Sequence, residues 1–252
     1  MRVLSIAGFD PSGGAGILLD SKVFTLLGLF SSAVPTCLTI QTPSRFLSWN
    51  TISPQYIYNT LFTLISDIDF QGIKIGMIGS EDVLEVLEEF LNFARKKVDW
   101  IVCDPVLRAT LGRDLFSGRQ YTSLFKKKIL KFVDVLTPNL EELKALSGRE
   151  KIEEGAKELF NLGVKSLIVT GVKRGDQVLD VLFYEDGVLQ LEARALELEF
   201  HGTGCGFSSA LLAFLVKGYP LEVAFKKAKN WLYLYLKRAA KKGFGGKLWV
   251  YL

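Results

Sequence analysis

His201, Gly202, Thr203, Gly204 and Cys205 stand in a row, followed directly by the small and apolar run 206–213. A turn with two glycines that opens straight into a helical pattern leaves unpaired backbone N–H groups pointing outward, able to grip an anion. A cysteine in the first helical turn lies in the same positive field, so its thiol is expected to ionise more easily than the free value of about 8.5. An anion hole and a candidate base within five residues point to phosphoryl transfer. An ordinary glycine turn with a buried cysteine is the alternative.

Other residues offer complementary chemistry. Residues 7–16 form a glycine-rich turn between a strand pattern and a helix pattern. It lacks the spaced lysine of a Walker A loop and the Gly-x-Gly-x-x-Gly order of a dinucleotide fold. Its use is either structural or close backbone approach to a small ligand. Asp20, one turn into the following helix, is expected to aim at such a ligand and accept from an exocyclic amine. Gln41 can both donate and accept, which suits a heteroaromatic ring. Asp104, and Glu142 in the segment Asn139-Leu140-Glu141-Glu142, supply oxygen ligands of the kind magnesium takes in phosphoryl-transfer sites. In isolation such acids serve as helix caps or surface charges.

The elements that must position these groups read as strands alternating with helices. Strand patterns fall at residues 2–6, 32–38, 72–75, 100–103, 133–136 and 166–169. Helical patterns fall at 15–27, from Pro54 to about 65, after Ser80 to about 97, and from Pro220 to about 241. Segments 178–184 and 188–193 read as an antiparallel hairpin. This alternation implies an α/β fold, a mostly parallel sheet covered on both faces, with ligands at the carboxyl ends of the strands. Residues 8–16, 39–43, 76–79, 104–109, 137–142 and 170–171 each directly follow a strand pattern, so they are expected to converge on one site.

Composition narrows the function classes. Half of the 252 residues are apolar, and no repeat or linker interrupts them, which favours one domain over 1–252. No uncharged apolar stretch is long enough for a membrane span, and the N-terminal apolar run is too short for a signal peptide. Three dispersed cysteines point to a reducing cytoplasm without disulfides. The single histidine leaves little material for a Ser-His-Asp triad or a histidine-rich metal site. The net charge of +4 is concentrated late, with nine basic residues and one acid between Lys217 and Lys247. Aromatic and leucine residues interleave there at helical spacing, so an amphipathic helix is expected rather than nucleic-acid binding.

The segments IAGFDPSGGAGI, TIQT, KIGMIGS, DPV, TPNLEE, VTG and HGTGC occur in an order that resembles the hydroxymethylpyrimidine/hydroxymethylpyrimidine-phosphate kinases of thiamine biosynthesis, members of the ribokinase superfamily. The resemblance covers nearly the whole chain. It implies a ribokinase-like three-layer α/β/α fold with an antiparallel hairpin at one edge of the sheet. It further implies ATP-dependent phosphorylation of 4-amino-5-hydroxymethyl-2-methylpyrimidine, then of its monophosphate, by a homodimer. By motif, Gly8, Asp20, Gln41, Met77 and Val106 would line the pyrimidine pocket. Asp104 and Glu142 would help hold magnesium, and Asn139, Thr170, Gly171, Ala228 and Lys229 would lie on the ATP side. Gly202, Thr203 and Gly204 would form the anion hole. Cys205 would accept the proton of the attacking hydroxyl or orient that oxygen.

Several positions depart from the family pattern. Phe9 replaces a small polar residue, Thr42-Pro43 an Asn-Thr pair and Leu107 a methionine. Val172-Lys173 interrupts a Gly-Gly-His, and Gly206 stands where threonine is common. Phe9 and Pro43 are expected beside the pocket and bear on substrate preference. Pyridoxal kinase is the alternative activity, and a non-catalytic pyrimidine sensor the alternative from another class. The hairpin at 178–193 and the residues around 108–117 are lid candidates.

Overall fold

The computed structural model describes residues 1–42, 45–107, 120–196, 200–241 and 248–249. In chain order these form β1 (Arg2–Phe9), α1 (Gly16–Leu26), β2 (Phe30–Thr42), β3 (Arg45–Thr51), α2 (Pro54–Asp67), β4 (Gly72–Ile75), α3 (Glu81–Ala94) and β5 (Trp100–Cys103). There follow α4 (Tyr121–Lys128), β6 (Val135–Leu136), α5 (Leu140–Ser147), α6 (Ile152–Asn161), β7 (Ser166–Arg174), β8 (Gln177–Tyr184) and β9 (Gly187–Arg194). The last elements are β10 (Phe200–His201), α7 (Thr203–Val216), α8 (Leu221–Lys241) and β11 (Leu248–Trp249).

Nine strands form one sheet in the order β3-β2-β1-β4-β5-β6-β7-β8-β9. From β2 to β7 every pairing is parallel. The expected hairpin, β8–β9, closes one edge in antiparallel register. The other edge carries a second antiparallel strand, β3, which pattern reading did not anticipate. Its Arg45-Phe46-Leu47-Ser48-Trp49 run is short and mostly exposed, so it carries no buried apolar run to mark it.

Side-chain alternation along the parallel strands builds two cores. Leu4, Ile6, Ile73, Ile75, Ile101, Leu136, Leu167 and Val169 point to one face, where they meet Leu61, Leu87, Phe90, Phe125, Leu143 and Leu159 of the helices α2 to α6. Val3, Val102, Val135 and Ile168 point to the other, against Phe24, Leu211, Phe225 and Leu232 of α1, α7 and α8. The molecule thus has three layers. Burial of each such side chain contributes about 1.5–3 kcal/mol.

Helix starts differ in mechanism. Ser80 Oγ accepts from the Val83 N–H, with Glu81 and Asp82 at the positive end of α3. Ser53 makes no such side-chain bond, and α2 starts on Pro54, whose fixed φ suits a first helical position. Chain β1→β2 runs to one side of β1 and β4 lies on the other, which creates a switch point at the carboxyl end of β1. The site lies there.

Candidate active site

A cavity of about 600 Å³ opens along the carboxyl ends of the parallel strands. Its walls come from the turn after β1 (Gly8, Asp10, Gly16), from β2–β3 (Thr39, Gln41, Thr42, Phe46), and from Met77, Asp104, Val106, Asn139, Glu142, Thr170 and Gly171. Residues 200–205 close it. A second, open depression formed by Met1, Arg2, Phe30 and Gln71 lies at the opposite end of β1 and brings no functional groups together.

Two glycines allow the walls to approach. A Cβ on Gly16 would stand 2.1 Å from the Gly8 carbonyl oxygen, and one on Gly202 would stand 1.8 Å from that of Gly14. Both have positive φ, +57° and +80°, where only glycine is free of strain. The glycine-rich turn and the anion-hole turn therefore pack backbone to backbone. A side-chain clasp joins them as well: His201 Nε2 lies 3.1 Å from Asp10 Oδ2, and Asp10 Oδ1 accepts from the Ser12 N–H and hydroxyl. Burial alone would raise the Asp10 pKa, but the bonds from His201 and Ser12 outweigh it and hold the carboxyl below its ordinary value.

At the other wall, Thr36 Oγ1 donates to the Met77 carbonyl at 2.6 Å and Thr39 Oγ1 to the Phe9 carbonyl at 3.0 Å. Gly8 lies so close to Cys37 and Met77 that a Cβ there would meet both sulfurs at 3.1 and 3.3 Å. The result is a slot in which the apolar Gly8, Phe46, Met77 and Val106 share the wall with Gln41.

The acids lie deeper. Asn139 and Glu142 form a capping box at the start of α5, each side chain accepting from the other's backbone N–H at 2.9 and 3.0 Å. Burial first, and then the Asp104 carboxylate, push Glu142 up to about 8. Burial likewise raises Asp104, which Lys74 and the neighbouring Cys205 and Ser208 side chains only partly pull back. Among the described residues, Asp104 Oδ2 is buried without a hydrogen-bond partner. Two buried acids that resist ionising together, one with an orphaned oxygen, fit a divalent cation, which would supply the missing partner and the compensating charge. Two carboxylates are enough for magnesium when phosphates and waters complete its shell.

Cys205, at the third position of α7, faces the same acids. Its thiol is pushed up to about 12, a reversal of the sequence expectation. Burial is the largest cause; the Lys74 ammonium pulls the other way, but Asp104 and Asp20 add to the rise, and the Gly16 N–H offsets little of it. The helix terminus is present as anticipated, but it cannot offset desolvation beside two carboxylates.

A sequence profile of the phosphomethylpyrimidine kinase family matches residues 10–248. The hydroxymethylpyrimidine/phosphomethylpyrimidine kinase of Aquifex aeolicus is 35% identical, over 97% of this chain and 98% of that protein. The chain belongs to the phosphomethylpyrimidine kinase family. Among solved structures, an ADP complex of Bacillus subtilis pyridoxal kinase is similar with a TM-score of 0.82 at 27% identity, over 96% of this chain and 92% of that one. Staphylococcus aureus pyridoxal kinase in complex with AMP-PCP and pyridoxal gives 0.83 at 26%, over 94% and 87%. The three layers are thus the ribokinase-like fold that the motifs implied.

In this phosphomethylpyrimidine kinase family member, Gly8, Gln41, Met77, Asp104, Val106, Asn139, Glu142, Thr170, Gly171, Gly202, Thr203, Gly204 and Cys205 all line the one cavity. Three expected site residues do not. Asp20 is fully buried below the cavity floor: Lys74 Nζ donates to both its oxygens at 2.9 and 3.0 Å, and the Ser5 and Ser209 hydroxyls complete the set. No oxygen is left over for an exocyclic amine. Ala228 packs in the core of the α1–α7–α8 face. Lys229 is bound to Asp180 Oδ2 at 2.6 Å.

Lys74, a wholly buried cation in the apolar run Gly72-Ile73-Lys74-Ile75, was missed, because strand patterning treats a lone lysine as an edge charge. Burial pulls its pKa down, but the carboxylates of Asp20 and Asp104 and the nearby Cys205 more than reverse this. Asp10 and Thr39 also escaped notice, although the acid two residues before Ser12 carried a turn signal. Phe9 does not line the cavity while Thr42 does, so of the described departures Thr42 is the one in the cavity wall. Pro43 and the lid candidate at 108–117 lie outside the described residues. The β8–β9 hairpin is no lid, because its turn at Glu185-Asp186 sits beside the start of β7, at the opposite end of the sheet.

Proposed function

We propose that this kinase transfers phosphoryl groups from ATP to 4-amino-5-hydroxymethyl-2-methylpyrimidine and then to its monophosphate, giving the pyrophosphate of thiamine biosynthesis. The observation that carries this reading is the joining, in one cavity, of an apolar slot edged by Gln41 to a buried acid pair and a glycine-lined helix start. Family membership supplies the substrate class.

The ring lies in the slot of Gly8, Met77 and Val106, with Gln41 donating and accepting at its polar edge. Its hydroxymethyl group points toward Cys205. The backbone N–H groups of residues 202–204 receive the transferring phosphoryl oxygens. Asn139, whose side-chain carbonyl is engaged in the helix cap, offers its amide N–H₂ to the nucleotide phosphates, and Thr170 and Gly171 border the nucleotide on the far side. Asp104 and Glu142 would hold magnesium, which would neutralise charge on the phosphate oxygens. Cys205 keeps its proton in the ligand-free protein, so its first role is to orient the attacking oxygen. Phosphoryl transfer asks mainly for positioning and charge stabilisation, which a neutral thiol serves. We assign the work to one domain in the cytoplasm, a reading supported by three free cysteines, and to a homodimer.

Incubation with ATP and magnesium is expected to add one phosphate to the pyrimidine and one to its monophosphate. Absence of turnover with both would overturn the assignment. Pyridoxal phosphorylation is the second reading, favoured by the likeness to pyridoxal kinases at 26–27% identity. It prevails if kcat/KM for pyridoxal exceeds that for the pyrimidine.

A further inference from the structure

Behind the nucleotide side of the cavity lies a charged pair that touches no ligand space. Strand β7 bulges: Val169 pairs with Val181 and Val172 with Leu179, so Thr170 and Gly171 together oppose the single residue Asp180. A bulge leaves a backbone group outside the ladder. Here Asp180 Oδ1 accepts the Gly171 N–H at 2.8 Å, with Gly171 in the left-handed region at φ +73°. The second oxygen of Asp180 binds Lys229 Nζ at 2.6 Å from the middle of α8. Asp180 is 4% exposed. Thr170 and Gly171 line the cavity, whereas Asp180 and Lys229 do not. The bulge is tied to the acid-bearing turn as well, since Thr170 N–H donates to the Pro138 carbonyl at 2.9 Å.

A buried carboxylate immediately behind a loop that borders a polyanionic nucleotide repels that nucleotide unless its charge is cancelled. We propose that Asp180 and Lys229 are positioning residues for the nucleotide: Asp180 fixes the shape of the Thr170–Gly171 bulge, and Lys229 cancels the charge this places behind it. Lys229 therefore acts on ATP through Asp180 rather than by contact. The inference rests on the reading of Thr170 and Gly171 as the nucleotide side.

Steady-state kinetics with ATP and the pyrimidine varied separately test it. Lys229→Met and Asp180→Ala are expected to raise KM for ATP about tenfold, while kcat and KM for the pyrimidine stay within about twofold. Lys229→Arg, which keeps the charge, holds KM for ATP within about threefold of the parent. The double variant Asp180→Asn with Lys229→Met keeps the acceptor and removes both charges. It too is expected within about threefold, and it serves if either single variant fails to fold. An unchanged KM for ATP in the single variants, or an equal rise for the pyrimidine, overturns the proposal. So does failure of Lys229→Arg to preserve it. Thr170→Val separates the two readings. If it raises KM for ATP while Lys229→Met and Asp180→Ala do not, the loop remains the nucleotide side and only the positioning role falls. If all three are silent, the nucleotide assignment of the loop falls as well.

Discussion

Burial, reinforced by the Asp104 and Asp20 carboxylates, opposes ionisation of Cys205, while the Lys74 ammonium and the Gly16 N–H favour it. With its pKa pushed up to about 12, the thiolate is a trace species at neutral pH. Since thiolate is the reactive form, alkylation of Cys205 by iodoacetamide in metal-free protein is expected to be roughly a thousandfold slower at pH 8 than for a free cysteine. The rate should climb about tenfold per pH unit from pH 7 to 9. A free-cysteine rate, or a plateau below pH 9, would show that the helix start wins. Cys205→Ala is expected to lose most of the turnover and keep pyrimidine binding near that of the parent, as measured by calorimetry beside kcat. If binding falls in step with turnover, the thiol merely shapes the pocket.

The turns that carry the chemistry are set by backbone contact more than by side chains. Gly202 precedes α7 at φ +80°, with the Gly14 carbonyl where a Cβ would go. Gly202→Ala must displace one turn from the other, and a shift of about 1 Å in a phosphoryl-transfer site costs about a hundredfold in rate. A loss of that size in kcat is expected, together with about 1–3 kcal/mol of stability. Gly148 offers the contrast. It also has positive φ, at the end of α5, but nothing lies within 4 Å of its missing Cβ. Gly148→Ala should cost about 1 kcal/mol and leave kcat alone. Equal activity losses in the two variants would count against backbone packing as the reason for Gly202.

Across the molecule, the two cores bury nearly every large apolar side chain of the parallel strands, yet the β2–β3 ribbon leaves Leu38, Ile40 and Leu47 about half exposed. The homodimer proposed above would cover such an apolar edge. Sedimentation is expected to report twice the chain mass, and Ile40→Asp to shift the protein toward the monomer. Because Gln41 follows Ile40 directly, loss of the dimer should also raise KM for the pyrimidine. A monomeric parent protein would remove this reading.

Layering and most of the cavity wall were legible in the chain alone, whereas the order of the strands in the sheet was not. Buried parallel strands write themselves as short apolar runs, and a turn that must approach a ligand writes itself as glycine, so residues 8, 16, 202 and 204 stood out by type. The edge strand β3, half exposed and short, left no such mark. Nor did pairings across long separations. Asp20 looked like a ligand-binding acid until Lys74, 54 residues away, took both its oxygens. Lys229 was expected on the ATP side, and its ammonium is bound to Asp180. Charge on a side chain is a local property, but its partner, and hence its pKa and its freedom to bind, belongs to whatever the fold brings beside it. That is why sequence located the helix start at residues 202–205, and only the packed structure showed the burial and the carboxylates that push its thiol up.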